Sequence, residues 1–78
     1  MKIRVKSNFG EYLRRRGIKK IWLAEQIGAD SSQLNRWCKN DSNGEAFSTP
    51  SVGYVLRIKK TLGCRLEDIY EEIPDESE

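Results

Sequence analysis

Apolar residues recur at helical spacing in two short segments near the start of the chain, and each segment is followed by a glycine. In the first segment Asn8 and Glu11 resemble a capping box, and Gly17 marks the end of the apolar pattern. The second segment covers residues 20–27 and is closed by Gly28. The pattern therefore predicts two short helices.

A third helix is predicted over residues 31–38. Asp30 is well suited to its N-cap position, and Leu34 and Trp37 lie three residues apart on its inner side. Only two residues separate Asp30 from the second helix, so the two helices are expected to meet at a tight, angular turn.

The second half of the chain predicts a loop and two further helices. Residues 39–48 are polar and rich in turn formers, which indicates a loop, and Thr49 followed by Pro50 is typical of a helix start. The apolar stripe predicted for this fourth helix consists of Val52, Val55, Leu56, Ile58 and Leu62. A short fifth helix after Gly63 carries the apolar residues Leu66, Ile69 and Tyr70.

The two ends of the chain differ from this helical pattern. Ile3 and Val5 alternate with basic residues, so residues 1–7 are either an edge strand or a basic, flexible arm. Residues 74–78 form an acidic tail that begins at a proline. A chain of 78 residues holds at most one small domain. We therefore expect an all-α fold of five short helices over residues 1–73, with a possible short N-terminal strand.

Charged residues are distributed unevenly, although the formal net charge of the chain is only +2. All 14 lysines and arginines lie before position 66 together with five acidic residues, which gives this part a charge of +9. The remaining residues include seven acids and no base, a charge of −7. A basic body with an acidic end is typical of proteins that bind nucleic acid, although a solvated surface has the same composition.

Several function classes are disfavoured by what the sequence lacks. There is no histidine, so nucleophilic triads and the usual nitrogen ligand of zinc are missing. Cys38 and Cys64 lie far apart and form no CxxC pair, which indicates reduced thiols in a cytoplasmic protein. No apolar run approaches the ~20 residues that span a bilayer. We therefore expect a cytoplasmic protein that is not an enzyme, binds no metal or cofactor, and has no membrane role.

The most specific pattern is the run KIWLAEQIGADSSQLNRWCK, which extends from Lys20 to Lys39. The residues that carry it, at the fifth, ninth, fifteenth and eighteenth positions of the run, are Ala24, Gly28, Leu34 and Trp37. A small residue is needed where two helices cross closely, a glycine supplies a positive φ at the turn, and two large apolar residues anchor the second helix. This spacing is typical of a helix-turn-helix formed by the second and third predicted helices, with Asp30 as the cap between them.

This run and its surroundings resemble the lambda-repressor-like family, also called Cro/CI or Xre. The resemblance extends from Phe9 to about Ile73 and includes RRRGI, LAEQIG, SSQLNRW and LEDIYE in the first, second, third and fifth helices. It implies the five-helix DNA-binding fold of small, single-domain phage and bacterial proteins. The chain departs from the family pattern at Lys20, where glutamine is frequent, at Trp22, which is commonly polar, and in a longer loop after the third helix.

The resemblance also implies which residues read the bases. In a helix-turn-helix the second helix enters the major groove, while the first crosses the phosphate backbone. The candidates for base contacts are Ser31, Ser32, Gln33, Asn35 and Arg36. Arg36 is the strongest candidate because its planar guanidinium can pair bidentately with guanine; its alternatives are a phosphate contact or a surface salt bridge. The two serines are equally suited to capping the first turn of the helix.

Phosphate contacts are expected on either side of the same helix. The candidates are Lys20, Lys39, Asn40 and Asn43. The two lysines bracket the expected groove, whereas the two asparagines are also consistent with a flexible loop.

Together these features predict a sequence-specific transcriptional regulator that binds double-stranded DNA, a repressor of phage or mobile-element type that occupies an operator. One recognition helix reads only a few base pairs, so we expect a homodimer on DNA. The alternative is an antitoxin or antirepressor that uses the same fold to bind a protein, with the acidic C-terminal segment as the contact.

Overall fold

The computed structural model describes residues 3–74, which form five helices and a two-stranded sheet. The elements in chain order are β1 (Val5–Ser7), α1 (Phe9–Arg16), α2 (Lys20–Ile27), α3 (Ser31–Trp37), α4 (Val52–Leu62), α5 (Leu66–Ile69) and β2 (Tyr70–Glu72). Helices this short are marginal alone, so each depends on burying one face in a shared core. None of these helices is long and apolar enough to cross a bilayer.

One cluster of apolar side chains holds the helices together. Its buried members are Phe9, Tyr12, Leu13, Leu23, Ala24, Ile27, Leu34, Trp37, Ile58, Cys64, Ile69 and Tyr70. Every helix contributes at least one of them, and α2 and α3 contribute five. The core therefore lies directly behind the pair of helices to which the sequence assigns the DNA contacts.

The two ends of the described chain pair with each other as antiparallel strands. The register pairs Val5 with Glu72, Lys6 with Glu71 and Ser7 with Tyr70. Of the two alternatives for residues 1–7, the strand is observed over Val5–Ser7, and residues 1 and 2 lie outside the described residues. The all-α expectation is incomplete, because Tyr70 has an extended backbone and begins β2, where a place in the fifth helix was predicted. Of the predicted acidic tail, only Pro74 belongs to the described residues; residues 75–78 lie outside them.

One predicted cap and one predicted helix start differ from the structure. Asn8 occupies the N-cap position of α1 but makes no capping hydrogen bond. Its Nδ2 instead donates to Oε1 of Glu71 at 2.7 Å, because β2 brings that carboxylate beside it. The fourth helix begins at Val52, with Ser51 as its N-cap, and not at Thr49 and Pro50. The intervening residues remain extended and line a groove described below.

The apolar stripe predicted for α4 is only partly buried. Ile58 is fully buried and Val55 and Leu62 are half-buried, but Val52 and Leu56 are 75% and 61% exposed. At 100° per residue, Leu56 lies about 160° around the helix from Ile58, so burial of one exposes the other. The sequence prediction combined two faces of the helix into one.

The loop after α3 is tied into a compact turn. The carboxylate of Asp41 accepts hydrogen bonds from the backbone N–H groups of Asn43 and Glu45, at 2.8 and 3.1 Å. The N–H of Ala46 then donates to the carbonyl of Val5 at 2.7 Å, which attaches the loop to β1. The loop thus covers the edge of β1 that faces away from β2.

Candidate nucleic-acid interface

The turn between α2 and α3 contains three residues, 28–30. Gly28 has φ 75°, a left-handed conformation that is accessible to glycine at little cost, and its N–H donates to the carbonyl of Ala24. The N–H of Ala29 donates to the same carbonyl at 2.9 Å. Ala24 is buried in α2, which packs against α3 and α4, so a larger side chain there would disturb the packing of α2.

Two side chains of α4 hold this turn from behind. The hydroxyl of Tyr54 donates to the carbonyl of Gly28 at 3.3 Å, and Nη1 of Arg57 donates to the carbonyl of Ile27 at 3.1 Å. The ring of Tyr54 also lies 5.2 Å from that of Trp37 in α3. Neither residue was predicted from the sequence. Tyr54 and Arg57 lie three positions apart in α4, close to the buried Ile58, and this helical spacing was the signal that could have identified them.

The outer face of α3 is polar and open to solvent. Leu34 and Trp37 point into the core, while the five residues predicted to read bases are all exposed: Ser31, Ser32, Gln33, Asn35 and Arg36. Asp30 occupies the N-cap position with an extended backbone, but its carboxylate makes no hydrogen bond to the first turn. A seven-residue helix is about 10 Å long, short enough to present all five side chains to one segment of a groove.

A hydrogen bond joins the two helices on this face. Nζ of Lys20, at the start of α2, donates to Oδ1 of Asn35 in α3 at 3.2 Å. The structure therefore brings together one residue predicted to contact phosphate and one predicted to contact bases.

A polar groove of about 510 Å³ runs between α3 and the residues that precede α4. Its walls are formed by Asp30, Ser32, Gln33, Arg36, Trp37, Ser48, Thr49, Ser51 and Tyr54. Ser48, Thr49 and Ser51 were not among the predicted contacts, although a run of hydroxyl residues before a helix N-terminus was visible in the sequence. No side chain caps α4, so the N–H groups of its first turn are available to an anion at this end of the groove.

The predicted contacts of the loop have different environments. The side chain of Asn40 is engaged within the protein, because its Oδ1 accepts from the N–H of Ser7 at 2.8 Å and its Nδ2 donates to the carbonyl of Ser7 at 3.0 Å. Lys39 is exposed, immediately after α3, and Asn43 is exposed in the turn of the loop.

The cations of this face are not neutralised by acidic neighbours. Within residues 3–74 the sole ion pair joins Arg4 to Glu45, so Lys20, Arg36 and Lys39 have no carboxylate partner there.

Burial raises the pKa of the Cys38 thiol, and the nearby charge of Lys20 opposes this rise. Among residues 3–74 no group of three or more potential metal ligands occurs.

The chain is similar to a known family of DNA-binding domains. A family model for the Cro/C1-type HTH DNA-binding domain matches residues 8–75 of the 78-residue chain. Neither the curated proteins nor the solved structures gave a match. The matched region contains the five helices and their polar groove. The chain therefore belongs to the family of Cro/C1-type helix-turn-helix DNA-binding domains.

Proposed function

We propose that the protein is a sequence-specific repressor of phage or mobile-element type that occupies an operator in double-stranded DNA. In this proposal α2 and α3 are the helix-turn-helix and α3 enters the major groove. The observation that carries it is the exposed, polar face of α3, where Arg36 lacks a carboxylate partner among the described residues and borders the groove. Membership of a DNA-binding family supports the same role.

Each exposed side chain of α3 would have a different role in recognising the bases of the DNA site. Arg36 donates two parallel hydrogen bonds to O6 and N7 of a guanine, and Gln33 can form the corresponding pair with an adenine. Ser31 and Ser32 are short enough to allow close approach of the helix to the bases. Asn35 retains its amide N–H groups for a base edge while its oxygen accepts from Lys20.

Phosphate contacts would fix the helix in its groove. Lys20 and Lys39 lie at the start of α2 and just after α3, where the two phosphate backbones pass. The uncapped N-terminus of α4, with the hydroxyl of Ser51, adds a site for a third phosphate. Asn43 is proposed as a weaker contact from the loop.

The proposed regulator binds as a homodimer, because two copies of α3 about 34 Å apart read two half-sites on one face of the duplex. It needs no cofactor or metal and performs no chemistry on the DNA. It acts in the cytoplasm, together with the DNA that it regulates.

The test is selection from a pool of genomic duplexes, followed by measurement of Kd for the selected and a scrambled duplex at two salt concentrations. The proposal expects affinity for both duplexes to fall steeply with salt, and the selected duplex to bind about a thousandfold or more tightly than the scrambled one. A protein without sequence preference, or with affinity that is insensitive to salt, would contradict the proposal.

Variants of single residues sharpen this test. Arg36→Ala is expected to relax specificity at one or two positions of the selected site, by about 1–3 kcal/mol. Lys60→Ala is the charge-matched control, because Lys60 is exposed in the last turn of α4, away from the residues that line the groove. Equal loss of specificity in both variants would contradict the role of Arg36.

A further inference from the structure

The end of α3 differs from the ends of the other long helices. α1, α2 and α4 each end at a glycine in the left-handed conformation, whereas α3 ends at Cys38, with φ −90° and ψ −4°. The last carbonyls of a helix lack partners within the helix and need them elsewhere. In α3 the carbonyls of residues 34–36 accept from the N–H groups of Cys38 and Lys39. The carbonyl of Trp37 has its partners elsewhere in the fold, on β1 and β2.

Ser7 and Tyr70 both donate to the carbonyl of Trp37, the last residue of α3. The Ser7 hydroxyl lies 2.6 Å from this oxygen and the Tyr70 hydroxyl 2.9 Å from it. The two donors are a cross-strand pair of β1 and β2, and both are buried. Buried hydrogen bonds are electrostatically stronger than solvent-exposed ones, so these two bonds hold the end of α3 more firmly than surface bonds would.

Asn40 holds Ser7 from the other side. Its side-chain amide pairs with both backbone groups of Ser7, as a neighbouring strand would. The N–H of Ala46 donates to Val5, and this part of the loop is thereby joined to the same strand. We call the arrangement of β1, β2 and Asn40 around the carbonyl of Trp37 the terminal clasp.

We infer that the terminal clasp sets the position of α3, so that Tyr70 and Asn40 are positioning residues for sequence discrimination. This assigns Asn40 a role within the fold in place of the predicted phosphate contact. The consequence for discrimination rests on the proposed function. Base reading requires side chains held within about 0.5 Å and 10–20° of the productive geometry, and α3 has only Leu34 and Trp37 as buried anchors.

The clasp also brings the first and the last element of the described chain close to α3. β1 precedes the first helix and β2 follows the last, yet both contact the final turn of α3. A change at either strand would therefore reach the DNA-reading face without altering a side chain on it.

The experiment compares Tyr70→Phe and Asn40→Ala with two controls. Tyr12→Phe is the control for the loss of a tyrosine hydroxyl, because Tyr12 is a core residue of α1 whose hydroxyl reaches solvent and makes no hydrogen bond among the described residues. Ile58→Val controls for general destabilisation, because Ile58 is a core residue of α4 that takes no part in the hydrogen bonds of the clasp.

Two readouts are measured on each full-length variant. Amide hydrogen exchange without DNA reports the local opening of α3, and we expect protection of residues 35–38 to fall about tenfold in the two clasp variants relative to α4. The ratio of Kd values for scrambled and selected duplexes is expected to fall about fivefold in the same variants, with an unchanged salt slope. Neither control is expected to produce this combination.

Each outcome has a distinct meaning. Unchanged exchange in α3 for Tyr70→Phe and Asn40→Ala would overturn the clasp. Faster exchange with an unchanged selectivity ratio, or an equal loss of selectivity in Ile58→Val, would overturn the positioning role. If the clasp variants show faster exchange in α3 but the unmodified protein prefers no DNA sequence, the clasp is supported and the proposed function fails.

Discussion

Nζ of Lys20 lies 3.2 Å from Oδ1 of Asn35, and this hydrogen bond connects the first residue of α2 to the exposed face of α3. The two side chains have different expected targets, a phosphate and a base. Because a lysine ammonium has three donors and the Asn35 amide retains two, the bond leaves both residues able to contact DNA. In the proposed complex the pair would link the register of the protein on the phosphate backbone to its reading of the bases.

The first prediction separates these two roles. Lys20→Ala is expected to weaken binding to selected and scrambled duplexes alike, and to reduce the slope of log K against log salt by about one, because one phosphate contact is lost. Asn35→Ala is expected to leave the slope unchanged and to relax specificity at one position. Both side chains are exposed, so each change should alter the free energy of unfolding by less than ~0.5 kcal/mol.

The measurement is a salt titration of Kd for each variant on both duplexes. Lys59→Ala serves as a control of equal charge in the last turn of α4, outside the groove, and is expected to alter neither slope nor specificity. Identical behaviour of Lys20→Ala and Asn35→Ala on a panel of variant sites would show that their roles are not distinct.

The second prediction concerns two leucines that the sequence pattern treats alike. Leu34 is fully buried and Leu56 is 61% exposed. Leu34→Ala is expected to cost about 2–5 kcal/mol, enough to unfold much of a domain of this size, whereas Leu56→Ala should cost less than ~0.5 kcal/mol. Urea unfolding followed by circular dichroism measures both; a large loss at Leu56 would mean that its side chain is covered in solution.

The third prediction compares two glycines with similar backbones and different surroundings. Gly17 and Gly28 have φ of 67° and 75°, so alanine is strained at both by about 1–2 kcal/mol. A Cβ at Gly17 would meet nothing within 4 Å, but at Gly28 it would lie 3.3 Å from Nη1 of Arg57. That guanidinium must then shift from the carbonyl of Ile27, which adds about 0.5–1 kcal/mol.

Denaturant unfolding of Gly17→Ala, Gly28→Ala and the double variant Gly28→Ala with Arg57→Ala tests this difference. The extra cost at Gly28 is expected to shrink when Arg57 is absent. Equal losses in the free energy of unfolding for Gly17→Ala and Gly28→Ala would show that the Arg57 guanidinium moves aside at no measurable cost.

The five helices were predictable because their signals are local. Capping residues, terminal glycines and apolar spacing of three and four are all read within about ten residues. The tight turn at Gly28 was equally predictable, because its left-handed backbone conformation favours glycine strongly over other residues.

The strand β2 was not predictable, because its signal is not local. Tyr70 continues the apolar spacing of the fifth helix, and the two glutamates that follow have no strand preference. Only pairing with β1, over sixty positions away in sequence, makes the segment extended. The pairing of Asn40 with Ser7 was not predictable for the same reason, since the two residues are 33 positions apart.

The fourth prediction concerns the stability of the protein at high pH. Burial raises the pKa of the Tyr70 phenol above its usual value of about 10. In the unfolded chain the phenol ionises near its usual value. Above about pH 10 the unfolded state therefore binds fewer protons than the native state, and the contribution of Tyr70 to stability falls as pH rises.

The free energy of unfolding, measured in urea at pH 7, 9, 10 and 11 for the unmodified protein and Tyr70→Phe, isolates this contribution. At pH 7 the variant is expected to be less stable by about 1 kcal/mol, because the bond to the Trp37 carbonyl is lost while that from Ser7 remains. Other groups that titrate in this range are common to both proteins, so their effects cancel in the difference. The difference should shrink by up to about 1.4 kcal/mol for each pH unit above 10 and then reverse in sign, since phenylalanine cannot ionise. A difference that stays constant from pH 7 to pH 11 would mean that the phenol is not buried in the native state.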